Sequence, residues 1–544
     1  MGLLLLKNAQ IVDGTGAAPF LGHLLVDGSR IAEVFHSDAQ TPAAETVINA
    51  SGLAVAPGFI DIHSHSDWAL TLPDHALALK CLPEQGVTTI VGGNCGFSPA
   101  PLTEKSRRIM GGGLFNLMID KPLSFTWSSY AAFFKTVENI RPIVNFANLT
   151  GHASLRFAAA DTRRGAMGSH ELSRCLALLE QTLEEGACGL SFGLGYDPGM
   201  YSPIPEIEAF IRTTGAAGKP VTVHAKALSR VSPTYSPLYP KPHNIRALRE
   251  LLEIAHRTGI RLQISHLIFV GRRSWSTADK CLEMIEKEKQ RGLDVLFDAF
   301  PYHCGNTTIN AILPAWFLAR VPEVFHNSWA RARLRAELAI GFRLVGMTYK
   351  DIQVMDAGPP EWAWFNGMRM DELARHWQMT PFDATLKVSE VSGGNAVILL
   401  HTYSGEPGDE ALLYRVLTND SCLFMTDAFC RYKGYPNPAA MGTFPKLLGD
   451  CVRRRRLLPL ETAVNRMTAA SASRFHLRDR GLLAKGMAAD IVMFDPDTID
   501  ETPPDGPNPA RRPKGIQHVW INGSHVVQQG HYVEGVRAGQ VIRT

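Results

Sequence analysis

Two histidines stand two residues apart in Asp61-Ile62-His63-Ser64-His65. On an extended strand, side chains i and i+2 face the same way, so both imidazoles point to one place. Other strand-like stretches end in residues of the same chemical kind. One ends in Asn94-Cys95-Gly96, another in His224 and a third in His266, and Asp427 follows the apolar run 422–425. Together these imidazoles, the thiol and the carboxylate make a donor set for two metals. Imidazole and thiolate suit zinc, and a carboxylate can bind the metal or take a proton. A thiolate can also bridge two metals. A single histidine at a strand end more often serves the fold than a metal. The whole set, spread over the ends of different strands, argues for a metal site.

The elements that must position these residues alternate. Strand-like runs at 59–62, 88–91, 143–148, 189–193, 221–224, 262–266, 295–300 and 422–425 are separated mostly by helical patterns. Helices are expected at 171–185, with Ser169 as a cap, at 244–257, ended by Gly259, and at 277–291, ended by Gly292. About eight strands alternating with helices predict an α/β fold of the (β/α)8 TIM-like barrel type, whose site forms at the C-terminal ends of the strands. The stretch 305–420 is too long for one crossover. It holds Pro359-Pro360-Glu361-Trp362-Ala363-Trp364 and a helical stretch at 370–377, and reads as an inserted subdomain or lid. Both ends of the chain are β-patterned, with Asn522-Gly523 as a hairpin turn near the C-terminus. They predict a small β-sandwich domain shared between residues 1–56 and 480–544, flanking a barrel over 57–479. The Pro-rich stretch 500–514 reads as an exposed loop.

Bulk properties exclude several partners. The chain has 544 residues, 45% hydrophobic and 20% charged, with a net charge of +3. That is the composition of a globular protein with a large core. The densest basic run, 453–456, reads as a solvated helix end, so no nucleic-acid partner is expected. The 9 cysteines do not form a disulfide framework, and Cys175, Cys281 and Cys451 fall in apolar or helical patterns, which points to the cytoplasm. The N-terminal leucine run passes at once into Ile11-Val12-Asp13-Gly14, a strand and turn rather than a signal peptide. No apolar run approaches the ~20 residues of a membrane span, so no membrane partner is expected. The sequence leaves a homo-oligomer open.

Other polar residues have weaker claims. His152 and Arg156, after the third strand, suit loop packing or substrate contact equally. His303 and Cys304 follow the seventh strand and Tyr196 the fourth; Lys226 and Arg230, after His224, suit either an anion or solvent. His75, His170, His243, His256 and His518 lie in helical or surface-loop patterns and are given no role.

The same residues, in a wider set of motifs, resemble the N-acyl-D-amino-acid deacylase (D-aminoacylase) family of the amidohydrolase superfamily. The stretches that carry the resemblance include PGFIDIHSHSD (57–67), QGVTTIVGGNCGFSPAP (85–101), GHASLR (151–156) and GACGLSFGLGYDPGMYSP (186–203). It continues through VTVHAK (221–226), LQISHL (262–267), DVLFDAFPY (294–302), GTFPKLLG (442–449) and DRGLLAKGMAADIVMFDP (479–496). Nearly the whole chain is covered except roughly 305–420. The GNCG element separates this family from relatives that bridge their metals with a modified lysine.

The resemblance implies a metal-dependent hydrolase acting on a linear, non-peptide amide of a small molecule. It implies a tight zinc held by Cys95, His224 and His266. A weaker second divalent metal would use His63, His65 and Asp427, with Asp427 as general base. It also places Tyr302, Ile268, Lys226, Arg230, Tyr196 and His303 as candidates for the substrate pocket. Two positions depart from the family. Ile268 stands where a lysine usually holds the substrate carboxylate, and Leu228 stands where a glutamate is usual. An aliphatic side chain makes no charge-assisted hydrogen bond. The expectation is therefore hydrolysis of an N-acyl-D-amino acid or, as the alternative, of an uncharged or bulkier amide, lactam or ester. A non-catalytic barrel scaffold would be expected to lose ligands, and none is lost.

Overall fold

The computed structural model describes residues 2–110, 115, 117–160, 165–236, 239–503 and 512–544. The middle of the chain is built on parallel strands. They are β1 (Phe59–Asp61), β2 (Val87–Gly92), β3 (Asn145–Asn148, continued by Thr150–Gly151), β4 (Leu190–Gly193), β5 (Val221–His224), β6 (Leu262–Ile264), β7 (Val295–Ala299) and β8 (Cys422–Phe424). Nearly all their residues are buried, as expected of parallel strands covered on both faces. Each strand pairs in parallel with the next in this order. A parallel bridge between Ser64 and Ala428 joins the residue stretches that follow β1 and β8. Asp61 fastens this seam: it accepts from the Thr426 N–H at 2.9 Å and from the Thr426 hydroxyl at 2.5 Å. Burial pushes the Asp61 carboxyl up to about 6, against the lowering effect of those hydrogen bonds.

Helices connect the strands. Ser169–Glu184 precedes β4, Ile204–Ala216 precedes β5, His243–Thr258 precedes β6 and Ala278–Gln290 precedes β7. The first begins at the residue expected to cap it. Gly168 is the N-cap instead, and its N–H donates to Glu171 at 2.8 Å. Gly259 ends the third helix at φ 65°, a left-handed conformation that glycine adopts without a Cβ clash. No helix among the described residues is long and apolar enough to cross a membrane.

The two ends of the chain meet in one nine-stranded sheet. Its centre is the antiparallel pair Ala54–Pro57 and Ile491–Phe494, with Leu3–Ile11, Phe20–Asp27 and Arg30–His36 on one side and Ile516–Ile521 and Ser524–Gln528 on the other. Side chains alternate across it. Ile491 and Met493 pack with Leu6, Leu24 and Val26 on one face, whereas Val492 and Phe494 join Phe59 and Phe444 on the other. Buried Asp490 fixes the sheet to the parallel strands: it accepts from Asn145 at 2.9 Å, Arg480 at 2.6 Å and the Asn522 N–H at 2.8 Å. Of the Pro-rich stretch 500–514, residues 504–511 lie outside the described residues.

Between β7 and β8 lies a three-stranded antiparallel sheet, Cys304–Thr308, Val397–His401 and Ile352–Asp356, with helices Ser328–Val345, Met370–His376 and Pro381–Val391 around it. Its apolar residues form clusters of their own, such as Ile352, Val354, Phe365, Leu373 and Ile398.

Candidate metal centre

Cys95 lies in the turn after β2, and two glycines let that turn approach its neighbours. Gly93 sits at φ +70°, where a Cβ would come within 1.9 Å of the Leu149 carbonyl oxygen. Gly96 sits at φ +81°, where a Cβ would come within 2.6 Å of the Gly193 nitrogen. Ser191 of β4 holds the turn from one side: its hydroxyl accepts from the Gly96 N–H at 2.9 Å and donates to the Gly93 carbonyl at 2.5 Å. The helix His152–Ala160 holds it from another, with the Ala153 N–H donating to the Gly96 carbonyl at 2.8 Å. Tyr196 donates its hydroxyl to the Cys95 carbonyl at 2.6 Å and sets its ring against His224.

Around this thiol the expected donors converge. The ligand atoms of His63, His65 and Cys95 lie within 4.8 Å of one another, as do those of Cys95, His224 and His266. Cys95 Sγ is 3.2 Å from His63 Nε2, 3.4 Å from His266 Nε2 and 3.9 Å from His224 Nδ1. Asp427 Oδ1 lies 3.3 Å from His65 Nε2 and 3.5 Å from His63 Nε2. Both histidines of the i, i+2 pair therefore reach the same carboxylate. Cys95, His266 and Asp427 all take positive φ, at 52°, 30° and 51°. Non-glycine residues adopt that region at a cost of order 1–3 kcal/mol each, and such strain concentrates at functional sites.

The electrostatics keep the anionic donors ionised. Burial raises the Cys95 thiol, but the charges on His63 and His266 and the hydrogen bonds from His224 and His266 outweigh it, so the thiol lies well below its usual value. Burial likewise opposes ionisation of Asp427, and hydrogen bonding to His65 with the neighbouring ring charges lowers it. A thiolate, a carboxylate and imidazoles aimed at one point form a donor set that a divalent transition metal fits.

One residue of the centre escaped the sequence reading. Asp298 of β7 is buried, with Oδ1 3.3 Å from His63 Nδ1 and accepting from the His266 N–H at 2.6 Å, while Oδ2 accepts from Gln263 at 2.9 Å. It stands behind the His63 ring and ties down the backbone at His266. Its signal was a carboxylate inside the apolar run Val295-Leu296-Phe297-Asp298-Ala299-Phe300. Phe429, stacked on His65 at 4.1 Å, was missed as well.

The remaining candidates scatter. Ile268 is buried in an apolar cluster with Tyr302, Tyr403 and Met425. The Tyr302 hydroxyl donates to Glu501 at 2.7 Å. Lys226 lies over the Tyr235 ring at 5.4 Å, and Arg230 is exposed. His303 faces Glu410 at 3.3 Å. His152 and Arg156 are fully buried and meet at Glu206. His75 and His243 are buried and hydrogen-bonded to backbone, His75 to the Leu72 carbonyl and Ile143 N–H, His243 to the Ser232 N–H.

Known proteins resemble this chain along its length. The profile of the amidohydrolase family matches residues 46–339 and 417–527. N-acyl-D-glutamate deacylase of Alcaligenes xylosoxydans xylosoxydans is 30% identical over 544 residues, 99% of this chain and 96% of the relative. The crystal structure of N-acyl-D-glutamate deacylase from Bordetella bronchiseptica, complexed with zinc and a phosphonate inhibitor that mimics the tetrahedral intermediate, superposes with a TM-score of 0.81. It is 29% identical, and 99% of each chain is covered. A D-aminoacylase structure with a binuclear metal centre gives 0.80 at 27% identity, again over 99% of each chain. The family profile covers most of the sequence and the likeness runs from end to end, so the chain belongs to the amidohydrolase family.

Proposed function

We propose that this amidohydrolase uses zinc and Asp427 to cleave an N-acylated D-amino-acid derivative whose group beside Ile268 is uncharged. The observation that carries the reading is the Cys95-centred donor set with Asp427 at its edge. Cys95, His224 and His266 would hold the tight zinc, and His63, His65 and Asp427 a weaker second divalent ion. Zinc bound there supplies a Lewis acid and lowers the pKa of its water to roughly 7. Asp427, kept ionised by the histidines beside it, takes the proton of the attacking water and passes it to the leaving nitrogen. Asp298 stands behind the His63 ring, as carboxylates behind histidine ligands commonly do, and holds the backbone at His266. Ile268 supplies apolar surface where a carboxylate-binding cation would be needed. Arg272, the nearest cation after β6, is committed to Asp351 at 2.8 Å and to Glu406 at 2.5 Å.

The parallel strands with their Ser64–Ala428 bridge support a (β/α)8 barrel over 57–479, interrupted by an inserted subdomain at 305–420. The joint sheet of the two termini supports a β-domain made of 1–56 and 480–544. Free, buried cysteines suit the cytosol.

The test combines metal analysis with one substitution. The purified protein should carry near-stoichiometric zinc. Asp427→Asn should keep the fold and most of the metal but lose at least ~10²-fold in turnover, the scale of general acid–base catalysis. A protein active without metal, or near-normal turnover in Asp427→Asn, would overturn the assignment.

A further inference from the structure

Tyr302, which shares an apolar cluster with Ile268, has a carboxylate against its hydroxyl. Glu501 comes from the loop after Ile491–Phe494. Its Oε2 accepts from the Tyr302 hydroxyl at 2.7 Å, and its Oε1 lies 2.7 Å from Lys446 Nζ. The same ammonium lies over the Tyr302 ring, 4.3 Å from its centre. Lys446 and Glu501 are largely buried, at 18% and 16% side-chain exposure. Gly442 makes room for the group, since a Cβ there would sit 3.1 Å from both Glu501 Cβ and the Tyr302 hydroxyl.

Several observations tie this group to the metal centre. Tyr302 packs in one apolar cluster with Ile268, Tyr403 and Met425. Ile268 follows His266 by two residues and Met425 precedes Asp427 by two. Asp427 is among the charges that act on the Tyr403 hydroxyl. The chemistry of the trio is that of an anion anchor already filled. An ammonium and a phenol converging on two carboxylate oxygens is how a protein holds a carboxylate ligand, and here the ligand is the chain's own side chain. A free carboxylate entering beside it would find both donors taken and a like charge in place. Arg369, another cation, whose charge reaches Cys304, donates to the Lys350 carbonyl.

We propose that Glu501 is a specificity-determining residue: it occupies the anion-binding pair Lys446 and Tyr302 and so excludes amide substrates that carry a free carboxylate there. This rests on the reading of an uncharged substrate given above and supplies its physical cause. A neutral amide or ester at the same position meets no like-charge repulsion, and the amide N–H can donate to the carboxylate.

The experiment compares kcat/KM for an N-acetyl-D-amino acid and its carboxamide, across several side chains, in the wild type, Glu501→Gln and Glu501→Gln/Lys446→Met. The wild type should prefer the carboxamide. Glu501→Gln should raise the acid-to-amide ratio by at least about tenfold, the scale of one charge-assisted contact, mainly through a lower KM for the acid. Removing Lys446 as well should abolish that gain. Zinc content and carboxamide turnover show whether each variant is folded, and Glu501→Ala is a second variant should the Gln side chain keep both contacts. A ratio unchanged in Glu501→Gln and Glu501→Ala overturns the inference and leaves the uncharged-substrate reading standing. A wild type that prefers the free acid, or hydrolyses neither compound, overturns both.

Discussion

Arg156 and His152 are fully buried, and Glu206, which both of them face, is nearly so. The Arg156 guanidinium meets Glu206, which also faces His152 at 3.3 Å. A charge in such a place must be paired, because an uncompensated one costs several kcal/mol. Burial raises Glu206, but hydrogen bonds from His152 and Ser202 and the charges of His152 and Arg156 outweigh it, holding the carboxyl at about 2 instead of its ordinary 4.5. An acid whose folded value is depressed stabilises the fold above its unfolded value and loses that contribution as pH falls through the folded one. For Glu206 the window runs from about 4.5 down to about 2. Glu206→Gln should therefore lower stability by about 3–5 kcal/mol at neutral pH, and the gap to the wild type should narrow once pH drops below 4.5. Urea midpoints measured from pH 7 downward check this; a gap that widens in acid would contradict it. At this scale the cluster of candidate donors was legible and its supports were not. His63 and His65 announce themselves by their spacing. Asp298 lies in a run whose period-2 pattern is blurred by burial on both faces, so its direction could not be read.

The element that matters most is the turn after β2, because it holds Cys95 at positive φ against two β-strands. Ser191 is its main brace. Without that hydroxyl, the Gly96 N–H and Gly93 carbonyl are left buried and unsatisfied, at about 1–3 kcal/mol each. Ser191→Ala should keep every ligand yet release zinc faster to a chelator and lower the melting temperature. Chelation kinetics equal to the wild type's would show that the turn holds itself. The parallel strands and the helices expected at 171–185, 244–257 and 277–291 lie within a few residues of their places, since apolar runs and glycine stops mark them, whereas the helix Ile204–Ala216 went unread. The stretch between β7 and β8 was harder. In Ser328–Val345 the buried residues are Ala330, Leu334 and Leu338, a narrow stripe, while Trp329, Ile340 and Leu344 face solvent and blur the period. The helix Pro381–Val391 and the three-stranded sheet there also went unread, because short elements around a private core leave little periodicity to detect.

At the scale of the molecule, the joint sheet of the two termini decides whether the rest can persist. Removing residues 490–544 would strip Asp490 from Arg480 and Asn145, take Ile491–Phe494 from beside Ala54–Pro57, and bare Phe59 where Phe494 covers it. The truncated protein should be insoluble; a stable, active one would show that the parallel strands fold without their partner sheet. The same pairing has a consequence in time. Ala54–Pro57 leaves the ribosome about 430 residues ahead of its partner Ile491–Phe494. At roughly 5–20 residues per second the interval is on the order of a minute. Throughout it the nascent N-terminal hairpins carry Leu6, Leu24 and Val26 toward a face that has not yet been made. Slower translation lengthens that exposure, so recovery of intact enzyme should depend on elongation rate and on chaperones that hold strands, more than on the final stability of the fold.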